Sequence, residues 1–84
     1  MMITEWILDT SNNEKERLIK AVDNKRKRDI IFDRIINGMT YESILLKYYP
    51  EYKCQSEISK LKECRKIRKM VGRFVMKQIN SVRK

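Results

Sequence analysis

A chain of 84 residues with 20 Lys and Arg, 11 Asp and Glu and no histidine carries a formal charge of +9. It has room for one small domain, which buries only about 60–65% of its unfolded surface. Histidine-based catalysis and a closed zinc site are excluded, since two cysteines cannot fill a tetrahedral ligand set, and no apolar run approaches the ~20 residues of a membrane span.

The charge is unevenly placed. Residues 1–24 hold three basic and five acidic side chains, a net −2, while residues 25–84 hold seventeen and six, a net +11. Self-repulsion on that scale points to a polyanionic partner, with a solvated basic surface as the alternative. The opening "MMITEWILDT" lacks the basic start and long apolar core of a secretory signal, and a lone pair of cysteines is a weak case for an oxidising compartment. A cytoplasmic location is expected, inside a host cell if the protein is viral.

Two glycines, one proline and an absence of alternating β-branched runs leave little from which to build strands. The expected fold is all-α, a single helical domain over 1–84 with four to five helices. Residues 1–10 form an arm or short helix that docks through Trp6, with Ile3 and Ile7 beside it and Thr4 as the cap. "TSNN" then favours a turn and a new start, and "EKERLIKAVD" sets Leu18, Ile19 and Val22 on one face with Glu14 and Glu16 early, where the helix dipole favours them.

"NKRKRDIIFDRIING" follows, with Ile31, Phe32, Ile35 and Ile36 as its apolar stripe and Gly38 as its stop. Joining it to the preceding helix would carry the stripe through Lys25 and Asp29, so a break near Asp23 and Asn24 is expected. The run Lys25, Arg26, Lys27, Arg28 then opens a helix, where the dipole disfavours positive charge. A phosphate contact would explain that placement, and so would a solvated patch. Thr40 caps "YESILLKYY", whose Ile44, Leu45 and Tyr48 face the core, and Pro50 ends it. "PEYKCQ" is read as a loop. The tyrosines around Pro50 are read as loop packing in preference to base stacking.

Ser56 caps the last element, a helix over 57–82 some 40 Å long. Its periodicity places Leu61, Cys64, Ile67, Val71, Phe74, Val75, Ile79 and Val82 on one side. Lys62, Lys66, Lys69, Arg73, Lys77 and Lys84 fall opposite, in a strip that Ser59 and Gln55 extend. Cys64 packs as a small hydrophobe. Gly72 marks a close helix crossing or a bend, at a cost of about 1 kcal/mol relative to alanine. Phe74, Val75, Ile79 and Val82 could pair with a second copy. A lipid-facing reading is set aside because it would strip the domain of its core.

The segment "IINGMTYESILLKYYPEYKCQSEISKLKECRKIRK" resembles the helix-turn-helix modules of sigma-factor-like regulators and of phage or transposon DNA-binding subunits. The resemblance rests on an apolar helix ending at Gly38, on Thr40 opening a helix with Glu42 and Ile44, and on Ser56 opening a third with Ile58 and Leu61 inward. It covers roughly residues 29–69, and Tyr49–Gln55 make the turn longer than the family's. It implies a helix-turn-helix-like core over 25–70, to which periodicity and charge add a long basic helix over 56–84. It also implies Gln55, Ser59 and Lys62 nearest base edges, with Lys60, Lys66 and Lys69 nearer phosphates. The strip continues that cationic set through Arg73 and Lys77.

The expected function is a small nucleic-acid-binding protein, for duplex DNA, acting as a regulator of transcription or accessory subunit. An interaction module binding an acidic or nucleic-acid-loaded protein is the alternative, and a nucleoprotein or capsid subunit a further one. Richness in Ile, Lys and Asn is associated with A+T-rich phages and mobile elements. No catalytic residue, metal or cofactor is expected: there is no glycine-rich phosphate loop, no nucleophile with a recognisable base and no carboxylate cluster with metal spacing.

Overall fold

The computed structural model describes residues 2–82, with side chains through residue 81. The places that periodicity assigns to the Val82 side chain and to Lys84 lie outside the described residues. Five α-helices are found, α1 (Ile3–Asp9), α2 (Asn12–Lys20), α3 (Lys25–Ile35), α4 (Tyr41–Tyr48) and α5 (Glu57–Val82), with a 3-10 turn over Pro50–Cys54 between α4 and α5. Among the described residues there are no strands, and no helix is long and apolar enough to cross a membrane.

Helix starts follow from local chemistry. The Oγ or Oδ1 atoms of Ser11, Asn24, Thr40 and Ser56 accept hydrogen bonds from the amides of Glu14, Lys27, Ser43 and Ser59 at 3.0–3.2 Å. Each such cap satisfies an amide with no intrahelical partner and is worth about 1 kcal/mol. Asn24 places the break between α2 and α3 where the conflict of apolar stripes requires it. α1 is the exception: Thr4 does not cap it but sits within its first turn, and Met2 occupies the cap position with no side-chain bond. A buried lysine instead satisfies a carbonyl at its other end. Lys15 of α2 is 6% exposed and its Nζ donates to the Ile7 carbonyl at 2.8 Å.

α3 ends at a left-handed residue, Gly38 with φ +68°, across which the Met39 amide returns to the Asp33 carbonyl at 3.0 Å. A side chain at that φ would be strained, which accounts for glycine there. The expected loop "PEYKCQ" is a 3-10 turn. It is compatible with Pro50 in its first turn, where a missing N–H leaves no bond unmade.

α5, with 26 residues, is the spine of a body measuring 44 × 21 × 20 Å. α1, α3 and α4 pack against it, while α2 packs on α3. The core joins Ile67, Val71, Phe74, Val75 and Ile79 of α5 to Trp6, Ile19, Ile30, Ile31, Ile35, Ile44 and Leu45. Trp6 docks as expected, its ring standing edge-on to Phe74 with centroids 6.3 Å apart. Tyr48, Tyr49 and Tyr52 pack half-buried against the same core, as does Cys64, a small apolar filler whose thiol pKa is pushed up by burial, with Glu42 and Glu63 adding to the effect.

Two expectations about α5 are corrected. Ile58 and Leu61 do not point inward: they are 68% and 56% exposed. Ile58 is nine residues from the buried Ile67, which at about 100° per residue puts it half a turn away, while Leu61 shares a face with the buried Ile79, eighteen residues or five turns along, and is exposed because no other helix covers that face near the start of α5. Phe74, Val75 and Ile79 are not free to meet a second copy, since they are 9%, 0% and 3% exposed within the single chain. Gly72 does not divide the helix, which runs through it without a break. It marks a helix contact, with Ile3 Cδ1 3.8 Å from where a Cβ would stand.

Candidate nucleic-acid interface

The cations divide according to what each side chain touches. In the run that opens α3, Arg26 and Arg28 are tied into the fold. The Arg26 guanidinium lies 5.3 and 5.2 Å from the ring centres of Tyr48 and Tyr49 and donates to the Tyr48 carbonyl at 3.4 Å. Arg28 donates to the Val22 carbonyl at 3.1 Å, closing the turn between α2 and α3. Lys25 and Lys27 remain exposed. The run is therefore neither a uniform phosphate clamp nor a uniformly solvated patch.

On α5, Lys60 departs from its expected place. Its side chain is only 16% exposed and its Nζ meets Glu57 Oε1 at 3.4 Å. Two residues from Lys62 is about 200° around a helix, so the two cannot share a strip. Gln55, Ser59 and Lys62 do gather in one concavity, beside Tyr52 of the 3-10 turn, but Glu51 and Glu63 line it too. Carboxylates there repel a phosphate backbone and weaken the case for this trio at base edges. Lys66 is exposed and pairs with Glu63 at 2.9 Å, a bond that raises its pKa. Lys69, Arg73 and Lys77 are exposed and, among the described residues, make no ion pair.

Packing of α3 on α5 brings part of the two basic sets together. Lys27 from the first turn of α3 and Lys66, Lys69 and Arg73 from α5 line one groove of about 470 Å³, floored by Val22, Ile31, Met70 and Phe74. No carboxylate among the described residues lines it. Lys77 continues the line beyond Arg73, in a shallow depression with Met76, Asn80 and Ser81. Pooled cations with few counter-charges raise the local potential and attract an anion more strongly than the same charges spread singly.

A second basic concavity was not foreseen. Arg34 of α3 and Arg65, Arg68 and Lys69 of α5 line a groove of about 610 Å³ with Ile3, Thr4, Ile7, Tyr41, Val71 and Gly72. Arg34 lies over the Tyr41 ring at 4.3 Å and donates to the Met39 carbonyl at 2.9 Å. Arg65 and Arg68 fall between the apolar side of α5 and its lysine strip, so a two-sided division of the helix passes over them. Gly72 signals a helix crossing in the sequence, but nothing local says that α1 is the helix that crosses there and turns them into the rim of a groove.

Among the described residues no three His, Cys, Asp or Glu side chains converge as a metal set would. No protein-family model, curated protein or solved structure matches the chain.

Proposed function

We propose that the protein binds nucleic acid, and duplex DNA in particular, through the groove where Lys27 meets Lys66, Lys69 and Arg73, with Lys77 and Lys25 extending the contact. The observation that carries this reading is the convergence of cations from two separate helices on one carboxylate-free groove, in a chain of net charge +9. From Lys62 to Lys77 the strip runs about 22 Å along α5, long enough to follow several successive phosphates.

Binding of this kind gains its free energy from counterion release and needs no base contact. The carboxylates around Gln55, Ser59 and Lys62 argue for a phosphate-dominated, sequence-tolerant mode, suited to an accessory or regulatory subunit of the phage or mobile-element kind. A fluorescence anisotropy titration of a labelled duplex at two salt concentrations tests it. Affinity should fall steeply with salt, and absence of binding at both concentrations would remove the reading.

A further inference from the structure

Ile58, Leu61, Arg65, Arg68 and Gly72 succeed one another at intervals of three and four residues, so they form one line along α5. At Gly72 that line is covered by α1, whose Ile3 side chain sits against it. Towards the start of α5 the same line lies open. Ile58 and Leu61 are 68% and 56% exposed, and Arg65 and Arg68 are exposed beyond them. Arg34 and Tyr41 wall the middle, and no carboxylate among the described residues lines the groove there.

We propose that this open half of the α5 line docks an acidic amphipathic helix belonging to a partner protein. Two observations define the occupant. The face continues one already filled by a short amphipathic helix, since α1 presents Ile3, Trp6 and Ile7 towards α5 and carries Glu5 and Asp9. Its chemistry is also mixed, with two large apolar side chains followed by Arg65 and Arg68, and with Arg34 and Lys69 flanking. Apolar anchors opposite Ile58 and Leu61, with Asp or Glu opposite the arginines, complement it. A second copy does not: a two-fold contact would set Arg65 and Arg68 against their own images. Nor does a phosphate backbone, which offers nothing to Ile58 and Leu61. This face meets the Lys27–Arg73 groove only at Lys69, which lines both, and the inference does not depend on nucleic-acid binding.

The test uses the full chain and a panel of labelled, helix-stapled peptides with leucines at three- and four-residue spacing and glutamates between them. Matched peptides carrying lysine for glutamate serve as controls, and a duplex is titrated in parallel. The acidic peptides should bind at least about tenfold more tightly than the lysine versions. The double variant Ile58→Ser with Leu61→Ser, and separately Arg68→Glu, should each weaken acidic-peptide binding about tenfold. The serine double variant alters only exposed side chains, and it should leave both the circular dichroism and the duplex affinity unchanged.

Peptide binding that is absent, indifferent to charge, or insensitive to the serine double variant would overturn the proposal. A fall in duplex affinity with that variant would assign the face to nucleic acid and overturn it as well. So would self-association of the wild-type chain that the variant abolishes.

Discussion

Lys47 Nζ lies 2.8 Å from Asp33 Oδ2, tying α4 to a carboxylate buried on α3. Asp33 is 4% exposed, and the Tyr48 hydroxyl and Asn37 Nδ2 also donate to it. Burial by itself would raise its pKa, but the bonds from Lys47, Tyr48 and Asn37 outweigh it and hold the carboxyl below the ordinary aspartate range. This cluster fixes how α4 leaves α3, and hence where the 3-10 turn delivers α5.

Asp33→Ala should therefore destabilise the fold by about 2–3 kcal/mol in denaturant titrations, since it leaves a half-buried tyrosine hydroxyl and amide without their acceptor. The pH dependence has a definite sign. A depressed folded-state pKa contributes stability that is fully present above the unfolded value of about 4 and is lost as pH falls through the lower, folded value. Thermal melts of the wild type should show that acid loss. Asp33→Asn should start less stable at neutral pH and show a shallower decline below about pH 4.

Lys15→Met keeps the aliphatic stem of a buried side chain and removes its bond to the Ile7 carbonyl. The expected cost is about 1 kcal/mol. Because α1 has seven residues and no side-chain cap, the loss should concentrate there. Amide exchange should quicken over residues 5–10 while α5 keeps its protection. Uniform quickening across the chain would show that Lys15 supports the whole core and not the docking of α1.

The two glycines should respond oppositely to alanine. At Gly72 the backbone is helical and the new methyl would meet Ile3 at ordinary contact distance, so Gly72→Ala should stabilise by about 1 kcal/mol. At Gly38 there is open space, yet φ is +68°, so Gly38→Ala should destabilise by about 1 kcal/mol through backbone strain alone. A pair of thermal melts checks both signs.

These contrasts show which parts of the molecule are written locally. Asn24, Thr40 and Ser56 announce their helices because a cap acts within three residues, and the buried run from Ile67 to Ile79 repeats with the period of its own helix. Long-range pairings carry no such mark. Arg26 meets tyrosines more than twenty positions away, and nothing near Asp33 in sequence predicts that Lys47 and Tyr48 will satisfy it in the interior. Lys60 and Lys62 stand about 200° apart on α5, and it is the helix-turn-helix resemblance, not the helical period, that puts Lys60 near phosphates. A helix-turn-helix pattern puts Ile58 and Leu61 inward, but Ile58 is half a turn from Ile67, and Leu61, in phase with the buried Ile79, has no helix over it near the start of α5. The basic groove was legible as two charged sets, and only the crossing of α3 over α5 shows that Lys27 belongs with Lys69 and Arg73 while Arg26 and Arg28 do not.

That division makes the charge pattern testable residue by residue. Lys69→Glu with Arg73→Glu reverses two exposed cations of the groove that have no carboxylate partner among the described residues, and Lys27→Glu reverses the one contributed by α3. If phosphates occupy the groove, both variants should lower duplex affinity while the fold persists, since none of the three side chains is buried. Each lost phosphate contact should also reduce the slope of log affinity against log salt by about 0.9. Lys60→Ala is the informative control, because that lysine already faces Glu57 on the shielded side of α5. Its removal should leave both affinity and slope unchanged. Losses in simple proportion to the charge removed, one unit for Lys60→Ala, two for Lys27→Glu and four for the double variant, would mean that the duplex responds to net charge alone, and the groove would then have no special part in binding.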